Sequence, residues 1–256
     1  MAHRFGWEIE FGCRTDVGLR RHGNEDSYIV VPELGLLGVA DGMGGHAGGK
    51  EASLTTVQGL REFFEWRLGD LEVEEGDETA WLLLMGEVVS EVNQLVFSRS
   101  LKEPSLKGMG TTLSYGLFYK KRLYVGHVGD SRLYRLRAGE ISQLTEDHAM
   151  VQEMIRSGQI RTVDEAPSRY RSIVTRSVGF EDTVCADTLS LEVREGDQYL
   201  WCSDGLSNLV EDLELAHEMK ANEPQKACEI LVDKALANGG NDNITVIIAH
   251  VACSGV

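Results

Sequence analysis

Two stretches with apolar residues at helical spacing stand back to back early in the chain, and nearly every other apolar run is of strand length. Glu51 to Leu68 carries Leu54, Val57, Leu60, Phe64 and Leu68 at that spacing, and Glu78 to Phe97 carries Leu82, Met85, Val89, Val92 and Val96. Strand-like runs precede them at Trp7–Thr15, Ser27–Pro32 and Leu34–Ala40, the last two forming a hairpin around Glu33. More follow at Thr112–Tyr119, Arg122–Val128, Arg132–Arg137, Glu140–Leu144, Val184–Glu192, Gln198–Cys202 and Ile244–Val251. Two further helices are predicted at Met150–Arg156 and Pro224–Ala237, the second with its proline near the start. Gly69–Asp77 reads as an acidic loop and Ser157–Ser172 as irregular polar chain. Helices and strands come in groups rather than in alternation. A parallel doubly wound sheet is therefore disfavoured, and the order predicts a layered α+β sandwich.

No repeat, low-complexity tract or Pro/Ser-rich linker divides the 256 residues, so residues 1–256 are read as a single domain. Its charge is unusual: 41 Asp and Glu against 25 Lys and Arg, a formal net charge of −16. An acidic surface repels nucleic acid and anionic membranes, so neither is expected as a partner. The five cysteines are scattered without a C-x-x-C pair, which argues against a zinc site or a disulfide framework. No apolar leader opens the sequence, and no run reaches the roughly 18 apolar residues of a membrane span. A cytoplasmic monomer is expected.

Carboxylates gather where apolar strands end. Asp41 follows Val39-Ala40 and opens a run, Asp41 to Lys50, that holds five glycines before a helix begins. Asp204-Gly205 repeats the arrangement after Tyr199 to Ser203. Asp130 follows the strand ending at Val128, Asp242 stands just before the last strand, and Asn24-Glu25-Asp26 precedes Ser27. Asp-Gly is also a common turn dipeptide, and each pair alone could be no more than that. Taken together, clustered carboxylates repel one another unless a cation is shared, and hard divalent ions such as Mg²⁺ and Mn²⁺ take oxygen ligands. Two such ions close together can bind a phosphoryl oxygen and activate water. Arg21 offers either a fork of donors for a phosphate or a plain surface ion pair.

In this order the segments resemble the motifs of protein phosphatase 2C-type enzymes of the bacterial branch. They are Asp16 to Asp26, Val39-Ala40-Asp41-Gly42-Met43-Gly44-Gly45-His46, Gly110-Thr111-Thr112, Val128 to Arg132, Leu144 to His148, Cys202 to Leu206 and Asp242 to Val246. The resemblance spans Phe11 to Val251. It implies a four-layer fold in which two antiparallel sheets form a central β-sandwich flanked by helices, with the metal site at one edge. It implies two or three Mn²⁺ or Mg²⁺ ions. Asp41 and the carbonyl of Gly42 would hold one ion, with Asp41 bridging to a second held by Asp204 and Asp242. Asp26, and Glu25 with it, would act through metal-bound water, and Asp130 with Asp204 would serve a weaker third position. Arg21 would hold the substrate phosphate.

The reaction implied is hydrolysis of phosphoserine and phosphothreonine on proteins, by a metal-bridging hydroxide attacking phosphorus in line. The partners are phosphoprotein substrates of a separate Ser/Thr kinase. His46 is the nearest candidate proton donor, with a structural place in the glycine turn as its other reading. Glu146 to Ser172 resembles the family's flap beside the site, and Thr145 reads as a helix cap.

Three other readings compete. Gly44 to Lys50 fits G-x-x-x-x-G-K, but Glu51 stands where a phosphate-binding loop needs Ser or Thr. No G-x-S-x-G exists for a serine hydrolase. A catalytically silent phosphoprotein-binding module on the same fold is the third, although the full set of aspartates favours an enzyme.

Overall fold

The computed structural model describes residues 7–44, 48–70 and 77–252. The strands are β1 (Glu8–Asp16), β2 (Ser27–Val31), β3 (Leu36–Ala40), β4 (Gly42–Met43), β5 (Gly110–Thr111), β6 (Leu113–Tyr119), β7 (Arg122–Val128), β8 (Arg132–Arg137), β9 (Glu140–Gln143), β10 (Asp187–Glu192), β11 (Gln198–Cys202) and β12 (Ile244–Ala252). The helices are α1 (Gly48–Asp70), α2 (Glu78–Lys102), α3 (Met150–Arg156), α4 (Asp204–Ser207), α5 (Asp212–Ala221) and α6 (Pro224–Ala237). One five-stranded antiparallel sheet runs β1-β12-β11-β8-β9 and the other β10-β7-β6-β3-β2.

The inner strands β3, β6, β7, β11 and β12 are buried on both faces and read as nearly unbroken apolar runs, whereas the outer β1, β9 and β10 carry charged residues. In β3, Leu36 and Ala40 face α1 and α2, while Leu37 and Val39 face the other sheet. In β11, Tyr199 and Trp201 face the first sheet's partner, and Leu200 and Cys202 face the helices α4 to α6. With successive side chains alternating between faces, each such strand serves two cores at once. Three buried clusters thus separate four layers, helix-sheet-sheet-helix, as the resemblance implies.

α2 presents Trp81, Leu84, Met85, Val88, Val89, Val92 and Val96 as one buried stripe. Among the described residues it is the one helix long and apolar enough to cross a membrane by length and composition. The stripe buried beneath it accounts for that apolarity. Asp77 caps its start, accepting from the Ala80 N–H at 2.9 Å.

Several expectations change. α1 begins three residues before Glu51, taking Gly69 and Asp70 into the helix; residues 71–76 of the expected acidic loop lie outside the described residues. Val184 to Ala186 stand outside β10, because Val184 and Ala186 pack sideways against the α1–α2 core instead of joining the ladder. Thr145 caps no helix: its buried hydroxyl accepts the Leu133 N–H at 3.0 Å and ties β8 to the chain after β9. The α5 helix, whose apolar signal is little more than Leu215 and Met219, is absent from the sequence reading.

Candidate metal and phosphate site

Antiparallel register carries every carboxylate cluster to the same end of the sandwich. Ser27 at the start of β2 pairs Ala40 at the end of β3, and Leu113 at the start of β6 pairs Val128 at the end of β7. In the other sheet Cys202 pairs Val246 and Arg132, while Asp16 pairs Ile244. The loops leaving these ends carry Asp26, Asp41, Asp130, Asp204 and Asp242. They surround a cleft of about 590 Å³ whose lining includes Arg21, Asp41, Gly42, Asp130, Asp204 and Asp242.

The two Asp-Gly pairs owe their glycines to crowding rather than to turn geometry. A Cβ on Gly42 would stand 2.1 Å from the Gly49 carbonyl and 2.6 Å from that of Glu25. One on Gly205 would stand 2.0 Å from the Asn243 carbonyl. Bare backbone lets the Asp41 loop close on the start of α1, and lets the Asp204 turn close on the loop bearing Asp242.

Neutral donors fix the carboxylates. Asp26 is buried, and its Oδ2 accepts from Ser203 Oγ at 2.8 Å and Thr245 Oγ1 at 2.6 Å. The Asp41 N–H donates to Thr112 Oγ1 at 2.9 Å, and its carbonyl accepts from Thr111 Oγ1 at 2.8 Å. Asn208 donates to Asp204 Oδ2 at 3.1 Å. Asn243 stitches the two ends of the chain together. Its amide donates to the carbonyls of Val17 and Gly23, and its Oδ1 accepts the Glu25 N–H at 2.8 Å.

The charges are left to repel. Burial raises the Asp26 carboxyl to about 7 against the pull of the Thr245 and Ser203 hydroxyls, with the Asp204 and Asp242 charges adding to the rise. Burial likewise raises Asp130 to about 7, helped by Asp204. Asp41 is pushed well above the carboxylate range by burial and then by Asp26, Asp204, Asp130 and Asp242. Asp204 is raised by burial and by the neighbouring Asp242 charge. Buried Oδ1 atoms of Asp26 and Asp204 have no hydrogen-bond partner. Orphaned anionic oxygens, a bare carbonyl approach at Gly42 and an all-oxygen donor set fit hard divalent cations. Among the described residues no three acidic, His or Cys side chains close around a single ion.

Arg21 does not stand free: its Nη2 donates to Asp242 Oδ2 at 2.6 Å, so the expected phosphate clamp and the expected metal ligand are paired. The pair is partly exposed and lines the cleft. His46 lies outside the described residues. Arg20, His22 and Ser172, which lie in the quoted motifs without a role of their own, and Val174, outside them, also line the cleft. The supporting Ser203, Thr245, Thr112 and Asn243 were visible only as polar residues interrupting apolar strand ends.

The 146–176 segment is pinned beside Asp130. His148 donates its N–H to the Gly129 carbonyl at 2.8 Å and accepts the Gly129 N–H on Nδ1 at 3.1 Å. Its other ring nitrogen lies 3.2 Å from Asp187, which Arg176 also holds at 2.9 Å. A bridge between Ala149 and Val174 closes the segment's neck.

The protein phosphatase 2C family model matches residues 22–231. A serine/threonine protein phosphatase, PstP, of Mycobacterium tuberculosis is 39% identical over 244 residues, 95% of this chain and 45% of that protein. The chain thus spans about half the length of that relative. A serine/threonine phosphatase, stp, of Listeria monocytogenes is 36% identical over 241 residues, 93% of this chain and 94% of that one. A crystal structure of the PstP catalytic domain in complex with two manganese ions superposes with a TM-score of 0.81 at 35% identity, covering 95% of this chain and 98% of that one.

Proposed function

Since the chain belongs to the protein phosphatase 2C family, we propose that it is a metal-dependent protein serine/threonine phosphatase working at the carboxylate end of the sandwich. One observation carries the reading. Five aspartates from five separate loops are gathered at one end of the sandwich, with burial and mutual repulsion raising four of them above the ordinary carboxylate range.

Asp41, the Gly42 carbonyl, Asp204 and Asp242 would hold two Mn²⁺ or Mg²⁺ ions, with Asp26 and Glu25 holding water beside them and Asp130 serving a third ion. Bound there, the ions supply an activated water and neutralise charge developing on the phosphoryl group. The chain's own residues do the positioning. Ser203 and Thr245 hold one oxygen of Asp26 and leave the other without a partner, and Thr111 and Thr112 fix the backbone N–H and carbonyl of Asp41. Arg21, at the cleft wall and paired with Asp242, would hold the substrate phosphate, since a guanidinium fork suits either anion. The substrates are phosphoproteins, the products of a Ser/Thr kinase.

The test is release of phosphate from a phosphothreonine peptide with Mn²⁺, with EDTA, and by the Asp41→Ala and Asp204→Ala variants. Metal-dependent turnover lost in both folded variants is expected. Turnover indifferent to EDTA and to both substitutions would overturn the mechanism. A folded protein inactive with either metal would leave the silent binding module.

A further inference from the structure

Two stretches that border the cleft are free of the acids that dominate the rest of the chain. The chain averages an acidic residue in every six or so and is at −16 overall, yet residues 166–180 contain Arg169, Arg171 and Arg176 and no Asp or Glu. Residues 17–23 contain Arg20, Arg21 and His22, again with no acid. Both stretches border the site: Arg20, Arg21 and His22 line the cleft from one side, Ser172 and Val174 from the other.

Arginines elsewhere are mostly neutralised. Arg14, Arg61, Arg99, Arg122, Arg137 and Arg194 each have a carboxylate within 4.0 Å. Among the described residues the arginines with no such partner are Arg20, Arg135, Arg161, Arg169 and Arg171, and all but Arg135 belong to the cleft wall or the 146–176 segment. Two of these are held in place by neutral groups. Arg171 donates to the carbonyls of Ala166 at 3.2 Å and Asp164 at 3.0 Å. Arg169 lies over the Tyr170 ring, 4.6 Å from its centroid, and donates to the Tyr170 hydroxyl at 2.9 Å. Neutral acceptors fix a guanidinium without cancelling its charge, so the charge stays available to a bound anion.

We propose that this cationic rim selects phosphopeptides with acidic residues flanking the phosphorylated one, so that an acidic protein prefers acidic substrates. The inference rests on the phosphatase reading, in which divalent cations neutralise the carboxylate floor and leave the rim as the charge that flanking side chains meet. Exposed charges of this kind act through encounter and binding more than through the chemical step, so KM rather than kcat carries the preference.

The experiment compares phosphothreonine peptides identical but for Glu, Ala or Lys at the flanking positions, with p-nitrophenyl phosphate alongside, all with Mn²⁺. At low ionic strength kcat/KM for the Glu-flanked peptide exceeds that for the Ala-flanked one by about tenfold, and the ratio shrinks towards one in high salt. The Lys-flanked peptide falls below both. The Arg20→Glu, Arg169→Glu double variant reverses the order; it avoids Arg171, which also braces its own segment. Equal values for the three peptides, or a preference for Lys, overturn the inference while hydrolysis of the aryl phosphate keeps the phosphatase reading. No hydrolysis of any substrate overturns both.

Discussion

The carboxylate floor and the 146–176 segment face each other across one cleft and are built in opposite ways. The floor is assembled from the far ends of the chain. Ser203 and Thr245 reach Asp26, Asn243 reaches Val17 and Gly23, and Arg21 reaches Asp242, each across more than 170 residues. The segment is held mainly by its neighbours: Arg171 by Asp164 and Ala166, the Arg161 N–H by Glu165, Arg156 by Glu146. One region is buried, crowded and electrostatically unsatisfied; the other is exposed, locally braced and free to vary. Chemistry that needs fixed geometry belongs on the first, and choice among substrates on the second.

The largest effect comes from breaking the floor. Asp41→Ala or Asp204→Ala lowers Mn²⁺-supported turnover by roughly a thousandfold or more, because each carboxylate serves the charge-stabilising ions. Substitution of Arg161 in the opposite segment leaves turnover of an aryl phosphate within a few-fold, and steady-state rates on purified folded variants read the contrast. A thousandfold loss at Arg161 would erase the distinction between the two regions.

Next in size is the response to pH without metal. Asp26 and Asp130 titrate near 7 when folded, above the ordinary carboxylate value of about 4. A raised acid favours folding while protonated, so metal-free stability is full below about pH 4 and is lost as pH rises towards 7. The cost reaches on the order of 4 kcal/mol per group at most. Thermal unfolding in EDTA should therefore give a lower Tm at pH 8 than at pH 5, with Mn²⁺ offsetting the loss at pH 8. The Asp26→Asn variant should flatten the metal-free curve; an unchanged slope would remove Asp26 from the account.

Glycine substitutions sharpen the comparison further. Gly205→Ala drives a methyl into the Asn243 carbonyl and should cost about 3 kcal/mol, together with weaker Mn²⁺ binding. Gly158→Ala, in the opposite segment, meets open space and pays only for its positive φ of 75°, about 1 kcal/mol, with metal binding intact. Denaturant melts and Mn²⁺ titration separate the two. Smallest of all is Arg156→Ala, which breaks an exposed pair with Glu146 and should leave Tm within error.

The same division explains what the sequence disclosed. Apolar runs of strand length, the helical spacing of α2 and acids at strand ends are local patterns, and they gave a layered α+β reading and the aspartates; the four layers came with the family resemblance. The Arg21–Asp242 pair, the reach of Asn243 and the crowding at Gly205 exist only once distant loops meet, so no spacing announces them. α5 escaped because only Leu215 and Met219 of its apolar residues are buried and they make a weak period, and Thr145 misled because a hydroxyl before a helix resembles a cap whatever it bonds to.

The pairing of β1 with β12 has a consequence for synthesis. Residues 21–26 leave a ribosome long before Asp242, Asn243 and Thr245, and until β12 docks Asp26 has neither its Thr245 donor nor its neighbouring loop. β12 lies between β1 and β11, so until it arrives the first sheet is divided and the acids lie in water at little cost. Assembly of the cation site therefore waits for β12, and a chain interrupted before residue 242 would capture no metal pair.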